Sequence, residues 1–274
     1  MIDLFSRQAA TYAIFRPAYP ERLVQFVLSS VKNAASSSGK PLLDAYDIGC
    51  GNGQVTIPLA RTGLFRKVIG MDKSASQLEH TLRDIDIPGL EFKQADALNL
   101  RSAGVEDYSC SLLTSAQMLH WMTNDAKTWQ RLKTEVVRVL IPNTGRFAVI
   151  GYGICRITND SQIENKLQEL YRQSIKENLW DKNCDRLLLD SLFAEGKVDF
   201  SPLRVVDRKV FPTTHRMPLD SFVKYVSTWS AFTQDAHKRL FDKFKTDSVI
   251  TADPVKEVDV EFPFFVVILK SDDN

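Results

Sequence analysis

The chain has 274 residues, of which 44% are hydrophobic, so it can bury the core of one large α/β domain or of two small ones. Its 35 Lys and Arg residues are balanced by 34 Asp and Glu residues. This balance excludes bulk attraction to nucleic acid or to an anionic membrane, and it favours a small-molecule partner.

Neither a signal peptide nor a membrane span is expected, because residues 1–12 hold no apolar run and no stretch approaches roughly 20 apolar residues. The 4 cysteines are scattered without a CxxC pair, which favours reduced thiols in the cytoplasm over a disulfide frame or a zinc site. The histidines are far apart and no carboxylates cluster, so no metal site is predicted.

The amino-terminal part begins with a predicted helix over 21–31. Leu23, Phe26 and Val27 follow helical spacing, and Pro20 suits a first turn. The stretch 35–39, Ala-Ser-Ser-Ser-Gly, is interpreted as a flexible loop.

Short apolar runs then alternate with helical stretches, which is typical of βαβ units and a parallel sheet. The predicted strands cover 42–48, 68–71, 90–94, 108–114, 146–152, 205–211 and 258–269. The predicted helices cover 54–62, 76–84, 124–140, 161–176, 184–194, 219–229 and 236–244.

These elements predict a single Rossmann-like α/β domain with a seven-stranded, mostly parallel sheet and helices on both faces. We expect a lid and helix over 1–40, a cofactor-binding core over 41–152, and substrate-capping helices with the last two strands over 153–274. The helical insertions after strands five and six should cover the carboxyl ends of the strands, where open α/β sheets bind ligands.

The sharpest motif is Asp47-Ile48-Gly49-Cys50-Gly51-Asn52-Gly53, which follows a predicted strand and precedes a helix. Its glycines allow a tight turn and close approach of a ligand to the backbone. A dinucleotide fingerprint would need a third glycine where Gln54 stands. The spacing therefore favours a methionine tail and ribose over a pyrophosphate, with Asp47 available to the cofactor's ammonium group.

Two further acidic residues follow successive strands. Asp72 ends the second, where a carboxylate can bind ribose hydroxyls, and Asp96 with Ala97 follows the third, where a carboxylate and a backbone N–H can bind adenine. Taken singly, Asp72 could be a helix cap and Asp96 a turn residue. The predicted cofactor-binding set also includes Lys73, Ser115 and Gln117.

These three segments resemble the class I S-adenosylmethionine-dependent methyltransferases with a methyltransferase-11-type domain. The sequence YAIFRPAYP over 12–20 resembles the opening of the trans-aconitate methyltransferase-like and cantharidin-resistance branch. The sequences QMLHW over 117–121 and TWSAF over 228–232 resemble two further segments of that branch, although Phe232 stands where Tyr is usual. The resemblance implies S-adenosyl-L-methionine as the cofactor.

Candidate acceptor-side residues lie on loops at the same sheet edge. His120 could be a base, a hydrogen-bond donor or a cap of the next helix, whereas Trp121 could wall the pocket or pack beneath that helix. Tyr152 could face the acceptor or the core, and Trp229 could be pocket or core. The remaining substrate candidates are Tyr19 and Arg216, whereas Tyr12 and Arg16 belong to the predicted cofactor-binding set.

Arg16 is the most versatile of these candidates, because a guanidinium can pair bidentately with the methionine carboxylate or with a substrate carboxylate. The alternative is a surface arginine that holds its own helix. We expect the segment around Tyr12, Arg16 and Tyr19 to fold back as a lid.

The leading functional hypothesis is O-methylation of a carboxylate on a small organic acid, catalysed with His120, Trp121 and Tyr152. The alternatives are methylation of carbon or phenolic oxygen on a quinone-like or lipid substrate, and a catalytically idle binding partner. A nicotinamide dehydrogenase is disfavoured by Gln54. The acceptor's identity and the oligomeric state are left open.

Overall fold

The computed structural model describes residues 15–81, 86–234 and 237–272. Tyr12 lies outside the described residues, as do the ends of two predicted helices. No helix in these ranges is long and apolar enough to cross a membrane.

An eight-stranded sheet forms the centre of the fold, with strand order β3-β2-β1-β4-β5-β8-β6 and with β7 paired to β8. Its strands are β1 (Asp44–Ile48), β2 (Val68–Asp72), β3 (Leu90–Gln94), β4 (Cys110–Ala116), β5 (Arg146–Tyr152), β6 (Arg156–Ile157), β7 (Arg204–Pro218) and β8 (Glu257–Lys270). Strands β1 to β5 pair in parallel, whereas β6 and β7 each pair antiparallel with β8, which itself pairs antiparallel with β5. The Rossmann-like α/β prediction is confirmed.

Nine α-helices are described around the sheet, and three short 3₁₀ turns accompany them. The helices are α1 (Glu21–Ser38), α2 (Thr56–Arg61), α3 (Ala75–Thr81), α4 (Ala126–Val139), α5 (Ser161–Lys176), α6 (Arg186–Asp190), α7 (Leu219–Ser227), α8 (Lys238–Lys245) and α9 (Ser248–Thr251). The turns cover Leu100–Ala103, Leu119–Trp121 and Ser230–Phe232.

The strand order places the candidate motifs at one edge of the sheet. The chain runs outward through β1, β2 and β3, and then returns to pair β4 with the other side of β1. Crevices form at the carboxyl ends of the strands where the order reverses in this way. The glycine loop after β1 and the His120 segment after β4 therefore flank the same crevice.

Two buried apolar clusters lie against the sheet. One includes Leu23 and Val27 of α1 together with Phe222 of α7, and the other includes Trp129 and Leu132 of α4. Leu23 and Val27 are four residues apart and almost fully buried, so α1 presents an apolar stripe to the sheet. This packing fixes the strands whose ends carry the site.

The predicted loop over 35–39 is wrong, because α1 continues to Ser38. The hydroxyls of Ser37 and Ser38 donate to the carbonyls of Asn33 and Ala35, so these serines remain bonded within the helix. Gly39 then adopts a left-handed conformation, with φ of 64°, and ends the helix.

The predicted sixth strand is also longer than expected. It is β7 in the structure, and it extends to Pro218 because it pairs with β8 from Arg204–Lys270 to Pro218–Glu257. The two-residue strand β6 was not predicted, since a pairing so short leaves no periodic signal. The predicted helix over 184–194 contracts to α6.

Candidate active site

The glycine loop, residues 49–53, follows β1 and contains three glycines with left-handed backbone conformations. Gly49, Gly51 and Gly53 have φ of 67°, 54° and 80°, values that favour glycine strongly over other residues. The N–H groups of Gly49 and Cys50 donate to the carbonyl oxygen of Met71 at 2.8 and 3.0 Å. These two hydrogen bonds hold the loop against the end of β2.

Gly49 and Gly51 meet different surroundings. A Cβ atom at Gly49 would lie 2.5 Å from Cγ of Met118, so this glycine is required by packing. Among the atoms of the described residues, a Cβ atom at Gly51 would have only Oε1 of Gln77 within 4 Å, at 3.8 Å. The described residues therefore leave space next to Gly51, which fits a cofactor lying against the backbone at this position.

Asp72 joins the glycine loop to the segment after β2. Its Oδ2 accepts from the N–H of Gly51 at 2.9 Å, and its Oδ1 accepts from the N–H of Ser74 at 2.8 Å. The capping contact to Ser74 and a role towards ligand are compatible, because a carboxylate offers about four acceptor positions. Two charge-assisted hydrogen bonds orient this carboxylate at the sheet edge.

Asp96 and Lys73 are paired across the neighbouring loops. Nζ of Lys73 lies 3.3 Å from Oδ2 of Asp96, and the N–H of Leu98 donates to Oδ1 of Asp96 at 2.9 Å. The latter contact is the turn interaction expected from sequence. Ala97, between these contacts, is half-buried. The structure thus brings Gly51, Asp72 and Asp96 to one edge, as expected.

Asp47 has a buried role that the sequence did not reveal. Its carboxylate is 1% exposed and accepts hydrogen bonds from the hydroxyls of Thr56 at 2.6 Å and Thr114 at 2.7 Å. Burial raises its pKa to about 6, although both hydroxyl contacts act in the opposite direction. Asp47 therefore links β1 to α2 and β4 beneath the glycine loop.

The end of β4 carries two further predicted cofactor residues. Ser115 is fully buried, and its Oγ has no hydrogen-bond partner among the described residues. The side-chain amide of Gln117 donates through Nε2 to the carbonyl of Tyr152 and accepts through Oε1 from its N–H, at 3.2 and 3.3 Å. Gln117 thereby extends the pairing of β4 with β5 beyond the last strand residue.

A separate pocket lies beyond these strand ends, and side chains from distant parts of the chain line it. The predicted residues among them are Arg16, Gln117, His120, Trp121, Tyr152 and Trp229. The others are Ile154, Trp180, Cys184, Arg186, Leu189, Tyr225 and Ser230. The described lining therefore contains two arginines and no aspartate or glutamate.

Arg16 reaches the pocket from the segment ahead of α1. Its Nη1 donates to the hydroxyl of Tyr152 and its Nη2 to the carbonyl of Thr228, both at 2.9 Å. The guanidinium also lies 5.5 Å from the ring centre of Tyr225. These contacts anchor Arg16 to the pocket wall.

His120 is buried beside Trp121 on a short 3₁₀ turn, and it is not the cap of the following helix. Asp125 caps α4, accepting from the N–H of Thr128 at 2.7 Å. Burial, together with the positive charges of Arg186 and Arg16, lowers the pKa of His120 to about 3. The imidazole is therefore neutral at physiological pH.

Trp229 belongs to both the core and the pocket. It is 2% exposed and stacks on Phe232 with ring centres 6.1 Å apart, yet it also lines the pocket. Tyr152 likewise lines the pocket while its ring contacts Phe262 and Phe264 in the core. Each of these two residues therefore contributes both to the core and to the pocket.

Two predicted substrate residues do not line this pocket. Tyr19 packs behind it, with its ring 6.5 Å from Tyr152 and 5.7 Å from Phe264. Arg216 lies on β7, where its Nε is 3.8 Å from Glu257 and 3.9 Å from Asp259, and its side chain is 67% exposed. The carboxylates of β8 hold Arg216 at the surface, so it does not join the residues that line this pocket.

Sequence reasoning missed Arg186, the second cation of the pocket. Its Nε donates to the hydroxyl of Tyr171 at 3.0 Å, and its Nη2 forms an ion pair with Asp190. The guanidinium lies 4.8 Å from the ring centre of Trp180. The only available signal was the four-residue spacing of Arg186 and Asp190 on a predicted helix, which is far more often a surface ion pair.

No group of three or more His, Cys, Asp or Glu residues capable of holding a metal ion occurs in the described ranges. The 4 cysteines are buried free thiols.

Comparison with known proteins finds methyltransferases. Residues 46–149 match the family described as the methyltransferase domain. A methyltransferase of Dictyostelium discoideum is 26% identical over 98% of this chain and 95% of its own length. The trans-aconitate 2-methyltransferase of Deinococcus radiodurans is 31% identical over 38% of this chain and 39% of its own length.

A solved structure shows the same fold over most of the chain. The type II methyltransferase of Anaeromyxobacter dehalogenans has a TM-score of 0.69 and 24% identity, covering 94% of this chain and 100% of that one. Residues 46–149 thus form a methyltransferase domain, and S-adenosylmethionine is its cofactor. The predictions of fold, enzyme class and cofactor are confirmed.

Proposed function

We propose that this S-adenosylmethionine-dependent methyltransferase methylates a carboxylate of a small organic acid and releases a methyl ester. The observation that carries the proposal is the pocket at the ends of β4 and β5. Its described lining combines two arginines with a neutral histidine and contains no carboxylate. Such a pocket suits an anionic acceptor.

The cofactor side is assigned to the edge formed by β1, β2 and β3. Asp72, oriented by the N–H groups of Gly51 and Ser74, binds the ribose hydroxyls, and Gly51 provides the open backbone surface against which the cofactor lies. Asp96 and the backbone at Ala97 bind the adenine, with Lys73 holding the Asp96 carboxylate in place. When bound, S-adenosylmethionine supplies an electrophilic methyl group on a sulfonium.

Asp47, Ser115 and Gln117 support this edge from the strand side. Asp47 fixes the glycine loop through Thr56 and Thr114, and Gln117 fixes the end of β5 through Tyr152. The buried hydroxyl of Ser115, which has no partner among the described residues, is available to a polar group of the cofactor. These side chains set the spacing between the cofactor edge and the acceptor pocket.

The acceptor side requires positioning rather than proton transfer. A carboxylic acid is ionised at pH 7, so no base is needed to make it a nucleophile. Methyl transfer is an in-line displacement, whose rate depends on alignment of the reacting atoms and on exclusion of water. Trp121 and Trp229 exclude water from the pocket, and Arg16 holds the acid, with Tyr152 fixing the direction of the guanidinium.

His120 is assigned the role of a hydrogen-bond donor. A histidine whose pKa lies near 3 retains an accepted proton poorly, so it is a weak general base at neutral pH. In the neutral imidazole one ring nitrogen still carries a hydrogen and can donate it to the acceptor. This arrangement favours the acid over a phenol or a carbon acid, both of which must lose a proton.

A product screen tests the proposal. Purified protein is incubated with labelled S-adenosylmethionine and with matched sets of carboxylic acids, phenols and quinones. We expect label in products that mild alkali hydrolyses, as methyl esters are hydrolysed. Label found only in alkali-stable ether or carbon–methyl products would refute the carboxylate acceptor and establish the phenol or carbon alternative.

A further inference from the structure

The strongest feature outside the predicted machinery is the cluster around Arg186, which we call the arginine clamp: Tyr171, Trp180, Arg186 and Asp190. Tyr171 lies on α5, Trp180 follows that helix, and Arg186 and Asp190 are the first and last residues of α6. These elements belong to the insertion after β5. The clamp is thus built by a part of the chain outside the matched methyltransferase domain, which ends at residue 149.

The clamp fixes the guanidinium of Arg186 on three sides. Tyr171 accepts from Nε at 3.0 Å, Asp190 pairs with Nη2, and Trp180 lies 4.8 Å from the guanidinium carbon. The Arg186 side chain is only 12% exposed. Its remaining amino group, Nη1, donates to no residue that the structure describes, while Arg186 itself lines the acceptor pocket.

A purely structural role explains this arrangement poorly. Asp190 also receives hydrogen bonds from the hydroxyl of Tyr171 and from the N–H of Ile154, so it does not depend on Arg186 alone for partners. Burial and the nearby charge of Arg16 lower the pKa of Arg186, because both make the charged form of the guanidinium less favourable in free energy. Two cations facing one pocket are stabilised when an anion lies between them.

We propose that Arg186 binds the acceptor carboxylate through its Nη1 group and selects acids over neutral molecules of the same shape. This inference rests on the proposed function, since it concerns the same acceptor pocket. The clamp holds the guanidinium in one orientation before the acid arrives, so little side-chain freedom is lost on binding. The insertion after β5, rather than the methyltransferase domain, then sets the chemical class of the acceptor.

The test measures acid binding separately from turnover. Three of the 4 tryptophans, Trp121, Trp180 and Trp229, line the pocket, so their fluorescence should report occupancy. The probes are sodium benzoate, cinnamate and citrate, with benzamide as the neutral control, each titrated with S-adenosylhomocysteine present. Ester formation from the same acids is measured in parallel.

Two variants remove the cation. Arg186→Met leaves Asp190 buried without its ion-pair partner, so the double variant Arg186→Met with Asp190→Asn keeps the clamp free of net charge. We expect both to weaken acid binding at least tenfold, to leave benzamide and S-adenosylhomocysteine binding unchanged, and to raise KM for the acid more than they lower kcat. Arg186→Lys should restore part of the affinity for the acid.

The matched control is Arg216→Met, which removes an arginine of the same chain at the surface of β7. It should bind acids as the wild type does. Thermal unfolding of every variant identifies a general loss of fold, which would also weaken S-adenosylhomocysteine binding.

The possible outcomes separate the two proposals. Acid binding that depends on Arg186, without ester formation by the wild type, supports this inference and refutes the proposed reaction. Ester formation with unchanged acid affinity in the folded double variant overturns the inference and leaves the proposed reaction standing. Wild-type protein that binds none of the acids overturns both.

Discussion

The two halves of the site hold opposite charges in different ways. At the ends of β1, β2 and β3, carboxylates are held mainly by backbone N–H groups and hydroxyls, as Asp72 is by Gly51 and Ser74. In the acceptor pocket, the cations Arg16 and Arg186 are held by side chains and carbonyls from distant segments. The acidic half therefore depends on backbone shape, and the basic half on tertiary packing.

Because of this difference, the two halves should tolerate different kinds of substitution. A change in the conformation of the glycine loop alters several hydrogen bonds at once, because Gly49, Cys50 and Gly51 donate from successive backbone N–H groups. In the pocket, a single side chain can be replaced while its neighbours remain packed. The proposed cofactor site is thus set by the local structure of the methyltransferase domain, while the insertion adds Trp180 and Arg186 to the proposed acceptor pocket, where single side chains can be replaced.

A pair of alanine substitutions in the acidic half should have the largest effect. Both Gly49 and Gly51 have left-handed backbones, so alanine costs about 1–2 kcal/mol at either. At Gly49 the added carbon also meets Cγ of Met118 at 2.5 Å, and such overpacking adds about 1–3 kcal/mol. We expect Gly49→Ala to lose about 2–5 kcal/mol of unfolding free energy, and Gly51→Ala only about 1–2 kcal/mol.

In cofactor binding, measured per folded molecule, the order should be reversed, and Gly51→Ala should be affected more than Gly49→Ala. Gly51→Ala places its methyl group in the open space assigned to the cofactor, so S-adenosylhomocysteine affinity should fall more than about tenfold. Denaturant unfolding and calorimetry give the two quantities. Full affinity in a folded Gly51→Ala variant would place the cofactor elsewhere.

Asp72→Ala should lower S-adenosylhomocysteine affinity by more than about a hundredfold. Each hydrogen bond to a charged group contributes about 1.5–3 kcal/mol, and two ribose hydroxyls would lose their acceptor. Calorimetry measures the affinity, with Asp207→Ala, an exposed carboxylate on β7, as the control. Unchanged affinity in the Asp72 variant would contradict the ribose-binding assignment.

The same contrast explains how much could be predicted from the sequence. Gly49, Gly51 and Asp72 lie within 24 residues and follow strands with clear apolar runs, so both their elements and their shared edge were predictable. The serines of α1 were misassigned because their hydroxyls donate to helix carbonyls, a contact that composition does not reveal. The length of β7 follows from its pairing with β8, which is non-local.

The acceptor pocket was only partly predictable for the same reason. Arg16, His120 and Trp229 were found through their resemblance to known segments, although 212 positions separate Arg16 from Thr228, whose carbonyl it contacts. Arg216 was predicted because it follows a predicted strand near this edge, whereas Arg186 carried no such signal, yet Glu257 and Asp259 hold Arg216 at the surface. Only the packing of α5 and α6 distinguishes these two arginines.

His120→Gln should have the smallest effect on catalysis and a distinctive effect on acid stability. Glutamine retains a donor, so we expect kcat/KM for ester formation to remain within about tenfold of the wild type, whereas loss of a general base would cost roughly 10²–10⁴-fold. Wild-type kcat/KM should show no limb due to His120 between about pH 5 and 8, because its pKa of about 3 leaves the ring neutral there.

The stability effect follows from the same lowered pKa. Unfolded histidine titrates near about pH 6.5, so between that pH and about 3 the unfolded chain binds a proton that folded His120 does not. The free energy of unfolding is therefore higher above pH 6.5 than at lower pH, because protonation of the histidine in the unfolded chain favours unfolding as the pH falls. Relative to His120→Gln, wild-type unfolding free energy should decrease by up to about 1.4 kcal/mol per pH unit below 6.5.

Asp47, whose raised pKa acts in the opposite direction, is present in both proteins and cancels in the difference. Denaturant unfolding at pH 5, 6 and 7 measures this difference, and parallel curves for the two proteins would show that His120 is not held neutral by its buried, cation-lined site.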